Sequence, residues 1–261
     1  MPPLDMIRDA LGILMDNVSE FYTHIPYIYR NIMMVSKQFK HYTERTRGFL
    51  LLCAAFHVEH GNLETLKTLH ELTDIWLNDS LVYLAIEYNQ DEITRFLLSH
   101  GCRNKSLIIK MLIRAAKIDL VKYFYQLHPG MDVNLLIDEY FSPLGIAAHM
   151  GYYNIIEYLI EERRADPVAN GGLAIIIAIE RDRYEIFRYF IEKCGVDIHF
   201  EGEKFLKRAV IFGRLGFIAY LIEKGADKSR VGEIEMRWAE VAGNHLGAIE
   251  AALNGELKIK N

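Results

Sequence analysis

The sequence predicts an all-α protein, a solenoid of about seven helix-pair repeats with an extra helical module at its N-terminus. The clearest unit is the stretch SPLGIAAHMGYYNIIEYLIEERRADP at 142–167. Its first half is compact and apolar, and Gly151 then suits a left-handed residue that ends a helix. Its second half has apolar residues at helical spacing, at Ile155, Ile156, Leu159 and Ile160. Because one such pair cannot bury both faces, similar pairs must stack beside it.

The second observation is that this helix-ending position recurs along the chain. It is expected at Gly61, Asn89, Ala116, Gly151, Asp182, Gly213 and Asn244. Glycine, asparagine and aspartate tolerate left-handed geometry best, so only Ala116 departs from the rule. Positive φ is expected at Gly151, Gly213, Asn89 and Asn244.

An apolar stripe follows each helix-ending position and predicts a second helix there. Seven aligned units indicate a solenoid. The stripes comprise Leu63, Leu66 and Leu69; Ile93, Phe96 and Leu97; Leu120, Val121 and Phe124; Ile155, Ile156 and Leu159; Ile186, Phe187 and Phe190; Phe217, Ile218 and Leu221; and Leu246, Ile249 and Leu253.

The unit at 142–167 resembles an ankyrin repeat. Ser-Pro-Leu opens the inner helix, Ala-Ala-x-x-Gly closes it, and Ala-Asp-Pro ends the unit. The resemblance covers roughly residues 48–255 and implies an ankyrin-type helical solenoid. The histidine with which the family braces neighbouring repeats is replaced by Gly145. The short intervals around Asn89 predict short turns there, and a finger-like length remains only from Asp132 onward.

In the ankyrin family, partners are held mainly by the concave face, so the resemblance implies which residues touch a partner protein. These are the side chains just before each helix-ending position, called here the predicted row. Aromatic residues, Met and Arg are common where binding energy concentrates. Burial under a neighbouring loop is the other explanation for the apolar members. The row comprises Glu59, His60, Glu87, Tyr88, Arg114, His149, Met150, Glu180, Arg181, Ile211 and Phe212.

Residues 1–47 form a predicted helical module, followed by the divergent repeat domain at 48–255 and a tail at 256–261. Pro3–Ile7 and Met34–Phe39 resemble the edges of an F-box. In that family the module docks on an adaptor of a ubiquitin ligase, and attached repeats select the substrate. A plain cap that covers the first repeat explains the same apolar pattern.

Composition limits the other function classes. The formal net charge is -5 with mixed signs, which argues against nucleic acid or an acidic membrane as partner. No apolar run reaches the ~20 residues of a membrane span, and the N-terminus does not fit a signal peptide. The widely spaced Cys53, Cys102 and Cys194 favour buried, reduced thiols and a cytoplasmic location.

No catalytic, cofactor or metal site is predicted. His57, Glu59 and His60 approach a metal-binding pattern, but the histidines are three apart and lack a third ligand. The pair Gly171-Gly172 could cradle an anion, although a plain turn is favoured. Cys194 ends a helix, which is typical of a structural thiol.

Three functions remain open at this stage. The leading hypothesis is a non-catalytic protein that binds another protein through the concave face. The alternative is a substrate-recognition adaptor of a ubiquitin ligase, of the kind in which pathogen proteins act on host proteins in the host cytoplasm. An enzyme on a helical scaffold is disfavoured because no catalytic residues converge in the sequence.

Overall fold

The computed structural model describes residues 51, 53–73, 79–137 and 141–257. The chain divides into two compact units, one ending at Asn104 and one beginning at Lys105. Each unit is built from helix pairs, in which the first helix is called inner and the second outer. The predicted domain boundaries at 47 and 255 stay a prediction, and the proposed module at 1–47 lies outside the described residues.

The first unit contains two helix pairs among its described residues. Residues 53–59 are helical and precede α1 (Leu63–Thr73). The second pair is α2 (Asp79–Glu87) and α3 (Asp91–Ser99), which pack on each other. The Asp79 carboxylate accepts hydrogen bonds from the backbone N–H groups of Arg103 and Asn104 at 2.9 and 2.8 Å. The turn after α3 is therefore short, as the repeat intervals predict.

The described residues of the second unit form five helix pairs. The inner helices are α4 (Lys105–Arg114), α6 (Pro143–Met150), α8 (Ala169–Glu180), α10 (Phe200–Ile211) and α12 (Glu233–Val241). The outer helices are α5 (Ile118–Leu127), α7 (Tyr153–Glu161), α9 (Tyr184–Arg188), α11 (Leu215–Glu223) and α13 (Leu246–Leu253). A π-helical turn, Tyr189–Lys193, continues α9, and a 3-10 turn, Lys228–Arg230, precedes α12. Each inner helix packs on the next, from α4 through α12.

Helix α6 shows how the sequence sets a helix start. The Ser142 hydroxyl accepts a hydrogen bond from the backbone N–H of Gly145 at 3.1 Å, and Pro143 occupies the first turn. Every residue of α6 from Pro143 to Ala148 is buried. The small side chains allow close packing, since a Cβ on Gly145 would lie 3.2 Å from Cδ1 of Ile177 in α8.

The outer helices supply the rest of the core, as the apolar stripes predict. Leu159, Phe187, Phe190 and Leu221 are fully buried. The stripe of α13 is less completely covered, because Ile249 is buried while Leu246 and Leu253 are half-buried. Burial of these stripes between neighbouring pairs is the main stabilising contribution that the fold offers.

The left-handed helix ends confirm six of the seven aligned positions. Gly61, Asn89, Ala116, Gly151, Asp182 and Gly213 all have positive φ, so even the alanine adopts the expected conformation. The prediction for Asn244 is wrong, because Gly243 has the positive φ (77°) instead. The last inner helix ends one residue early, and the turn to α13 contains one extra residue. Spacing alone missed this because α13 itself begins 31 residues after α11, in step with the repeat.

The described residues contain helices and turns but no β-strand, and none of their helices combines the length and apolar character of a membrane span. Residues 128–142, where the sequence expects its finger-like segment, separate α5 from α6 in the chain. The pair Gly171-Gly172 forms a left-handed turn, and the Lys204 ammonium donates to the Gly171 carbonyl at 2.9 Å. The pair therefore forms a plain turn, as the sequence favours.

Candidate functional site

The predicted row lies in the last turn of each inner helix or just after it. All of its members are exposed or half-buried. Tyr88 exposes 44% of its surface and Phe212 exposes 36%, so neither is covered by a neighbouring loop. The row therefore consists of accessible side chains, with Glu59, His60, Glu87 and Tyr88 in the first unit and the other seven in the second.

A set of bridging side chains lies beneath the row in the second unit. Each comes from the residue after a left-handed helix end and donates to carbonyls at the end of the preceding inner helix. Tyr152 Oη donates to Arg114 O at 3.4 Å, and Arg183 Nη2 lies 3.4 Å from both His149 O and Met150 O. Arg214 Nε donates to Ile179 O at 3.2 Å, and Asn244 Nδ2 donates to Ile211 O at 3.1 Å.

The first unit contains the same bridge between its two pairs. Gln90 Nε2 donates to Glu59 O at 3.4 Å. Because the last carbonyls of a helix lack partners within the helix, these side chains satisfy them from the next repeat. Where the bridge is an arginine, its charge also interacts favourably with the negative end of the helix dipole. The bridges therefore hold the backbone under the row.

The bridges also explain why glycine occurs at two helix ends. A Cβ on Gly151 would lie 3.0 Å from Cζ of Arg183. A Cβ on Gly213 would overlap the side chain of Asn244. At both positions the backbone needs positive φ and the bridging side chain needs the space that a Cβ would fill.

Three guanidinium groups surround His149 in the second unit. Partial burial lowers the pKa of His149, and the positive charges of Arg181, Arg114 and Arg183 lower it further. Arg114 and Arg181 are exposed and form no ion pair with any residue that the structure describes. We call Arg114, His149, Arg181 and Arg183 the basic cluster.

Nearby carboxylates do not neutralise the basic cluster, because they are paired with other arginines. Glu180 Oε1 lies 3.5 Å from Nε of Arg208, and Asp182 Oδ2 lies 3.8 Å from Nη1 of Arg214. The Arg208 guanidinium in turn lies 5.9 Å from the centre of the Phe212 ring. These contacts connect the end of α8 to the end of α10 and lead from the basic cluster to an apolar region.

That apolar region continues on α12. Ile234, Trp238 and Val241 recur at intervals of four and three, which places them on one helix face. They expose 71%, 58% and 72% of their surface, more than any other large apolar side chain among the described residues. With Phe212 they form what we call the apolar end. Ile234 and Trp238 lie outside the predicted row, although their spacing in EIEMRWAEV is readable from the sequence.

The row of the first unit has a different character. The Tyr88 hydroxyl donates to the Glu59 carboxylate, and this hydrogen bond raises the pKa of Tyr88. His60 Nδ1 lies 2.8 Å from the Phe56 carbonyl, and its ring stacks on that of Phe56 at 4.0 Å. Glu59 and Glu87 make this part of the row acidic, so the two units offer different chemistry to a partner.

The candidate metal-binding residues differ in burial, and the candidate thiol is poorly ionised at neutral pH. His57 is buried, and burial lowers its pKa, while Glu59 and His60 are exposed. Within the described segments, no three His, Cys, Asp or Glu side chains are grouped to hold a metal ion. Burial and the nearby Glu161 raise the pKa of Cys194 to about 11, so its thiolate is scarce at neutral pH. The three cysteines are half-buried, whereas the sequence predicted buried thiols.

Comparison with protein families finds a likeness in part of the second unit. A family model described as ankyrin repeats, with three copies, matches residues 109–201 and again residues 144–231. The matches together cover a little under half of the chain. Comparison with curated proteins found no match. The described chain is thus all-helical with ankyrin repeats at 109–231, and nothing in the match supports an F-box-like module.

Proposed function

We propose that this chain, whose residues 109–231 are ankyrin repeats, binds another protein through the predicted row and has no catalytic activity of its own. Ankyrin repeats generally mediate protein–protein interaction. The observation that supports the row is its exposure together with the bridges beneath it. The bridging side chains already hydrogen-bond to the helix-end carbonyls. The partner therefore contacts the side chains of the row and not those carbonyls.

The composition of the row supports a binding role over an ordinary solvated surface. Phe212 and Met150 are accessible although burial would be favourable for both. Arg114 and Arg181 lack an ion-pair partner among the described residues, so they can pair with a partner's groups. Aromatic and arginine side chains on a rigid scaffold are typical anchors of an interface.

Affinity capture with the full chain tests this proposal. Wild-type protein, Phe212→Ala and Arg181→Ala are immobilised at equal density, and the recovered proteins are compared. We expect a specific partner that either substitution weakens by at least about tenfold. The matched control is Tyr153→Ala, which removes an exposed aromatic side chain from outer helix α7. A partner that binds both row variants as well as the wild type, but no longer binds Tyr153→Ala, would place binding on the outer helices.

The ligase-adaptor function is a second candidate that depends on residues 1–47, and its F-box-like segment has no support beyond the sequence resemblance. The same capture separates it from the first. A chain that lacks residues 1–46, checked for folding by circular dichroism, should keep a partner held by the row. If this shortened chain no longer captures a ligase adaptor but still captures the partner held by the row, the second candidate is supported. A cytoplasmic location is part of both proposals.

A further inference from the structure

The geometry points to the kind of partner that the second unit binds: we infer a protein segment that carries acidic side chains followed, in one direction or the other, by apolar ones. This inference rests on the proposed function and deepens it. It depends on the basic cluster and the apolar end, which lie along successive inner helices of the second unit, from α4 to α12.

The basic cluster has positive charge that no ion pair among the described residues balances. Of the five arginines at this surface, Arg208 and Arg214 are paired with Glu180 and Asp182. Arg183 is used as a bridge to neutral carbonyls, which leaves its charge unbalanced. Arg114 and Arg181 have no ion pair within the described segments. In a chain with a formal net charge of -5, this is a local positive surface that selects carboxylates.

The apolar end adjoins this charge. Ile234, Trp238 and Val241 share one face of α12, and Phe212 ends the neighbouring α10. Isolated exposed apolar residues need no explanation, but a helix face with three of them marks a contact surface. Tryptophan in particular provides a large apolar area with a polar N–H, which suits an interface anchor.

The distance between neighbouring inner helices determines how long the partner segment must be. Neighbouring packed helices lie about 8–10 Å apart, and an extended chain advances about 3.3 Å per residue. An extended partner therefore advances about three residues per repeat. From Arg114 at the end of α4 to Val241 at the end of α12, it spans about 13 residues. Its acidic half lies over the basic cluster and its apolar half over the apolar end.

The distribution of charge on this surface favours a protein over a nucleic acid. Phosphates would also bind the arginines, but the surface continues into an apolar helix face with Glu233, Glu235 and Glu240 on the same helix. Carboxylates there would repel a phosphate backbone along its length. A polypeptide can change from acidic to apolar within a few residues.

A selection from a random library of 14-residue peptides displayed on phage tests the inference with the full-length chain. We expect the selected peptides to be enriched in Asp and Glu on one side of an apolar group. The double variant Arg114→Glu, Arg181→Glu should instead select Lys and Arg, because the charge of the cluster is reversed. Lys193→Glu, an exposed charge reversal in the π-helical turn of the outer helix, is the matched control and should leave the selection unchanged.

Titration of one selected peptide, followed by fluorescence anisotropy, sharpens the result. Trp238→Ala should weaken its binding about tenfold, since an interface tryptophan is a frequent anchor. Arg181→Ala and a rise in NaCl from about 50 to 500 mM should each weaken it as well. Arg181→Ala also keeps the test decisive if the double charge reversal does not fold, as judged by circular dichroism.

Three outcomes would overturn the inference. They are a selection without preference for acidic residues, a selection that the double charge reversal does not alter, and displacement of the peptide by single-stranded DNA at lower concentration than by free peptide. The proposed function fails separately. If the captured natural partner depends on Phe212 but ignores the charge reversals, only the acidic character is wrong. If it binds every row variant as well as the wild type, the assignment of binding to the row is wrong.

Discussion

Helices α6 and α12 occupy the same position in their repeats but differ almost completely in burial. Residues Pro143 to Ala148 of α6 are all buried, whereas in α12 only Ala239 is buried. Helix α6 lies between inner helices α4 and α8, while in the described structure α12 packs on one inner helix, α10. A residue type at a repeat position therefore becomes scaffold or surface according to its neighbours. The apolar face of α12 is available for binding because no helix of the described structure covers it.

The largest expected effect separates these two regions by stability. Leu159→Ala removes a fully buried side chain from the repeat of α6 and should cost about 2–5 kcal/mol of the free energy of unfolding. Trp238→Ala removes a larger side chain from α12 but should change it by no more than about 0.5 kcal/mol. Urea unfolding of both variants measures the difference. Equal losses would mean that the face of α12 is part of the core.

The next effect concerns the left-handed helix ends. Gly213→Val should cost about 1–3 kcal/mol, because valine disfavours positive φ and its side chain would displace Asn244. Gly216→Ala is the control, since a Cβ there meets no neighbouring atom. Thermal unfolding should show a lower midpoint for Gly213→Val alone. A midpoint unchanged by Gly213→Val would remove the reason given for glycine at this position.

A smaller effect is expected from the bridges. Arg214→Met keeps the length of the side chain but removes the guanidinium donor to Glu180 O, and it leaves Ile179 O with only the backbone N–H of Asp182 at 3.1 Å. The free energy of unfolding should fall by about 1–2 kcal/mol. Arg237→Met, on the exposed surface of α12, should change little. If both substitutions have the same effect, the bridges do not stabilise the join between repeats.

The smallest effect is a pH dependence at the loop that precedes α12. The carboxylate of Glu203 is 3% exposed, accepts the backbone N–H of Asp227 at 3.0 Å, and is hydrogen-bonded to Nδ1 of His199. That hydrogen bond raises the pKa of His199 above its ordinary value. The stabilisation by His199 is therefore fully present below the unfolded-state pKa of about 6.5 and is lost as pH rises through the raised folded-state pKa.

Comparison of the wild-type protein with His199→Gln tests this effect. The difference in thermal midpoint between the two should be larger at about pH 5.5 than at about pH 8.5. Asp197 and Asp227 also face His199 and act in the same direction. A difference that grows toward alkaline pH would contradict the pairing with Glu203.

The sequence was informative about the fold because each repeat is a local structure. Helix ends need residues that tolerate positive φ, and outer helices need a stripe of apolar residues, so both are visible in the sequence. The exception is the last turn, where Gly243 precedes Asn244 and either residue suits a left-handed position. The backbone distinguishes them, since Gly243 has the positive φ and the N–H of Asn244 bonds to Ala239 O as that of Arg214 bonds to Ala209 O.

The site was less predictable because it depends on contacts between repeats. The carbonyls bridged by Arg183 lie 33 and 34 residues earlier, so the sequence around Arg183 does not by itself identify its partners. The exposure of Trp238 depends likewise on which helix packs beside α12. A repeated polar residue after each helix end, in Gln90, Tyr152, Arg183 and Arg214, is the sequence signal that could have suggested the bridges.

The separation of scaffold from binding surface is tested most directly by Phe212→Ala, measured both for thermal unfolding and for titration with the captured partner. Phe212 is 36% exposed at the end of α10, so its truncation should leave the melting temperature near that of the wild type. Binding should weaken by about 1–2 kcal/mol or more if the ring is an anchor. A variant that melts as early as Leu159→Ala, or that binds the partner with wild-type affinity, would contradict the account.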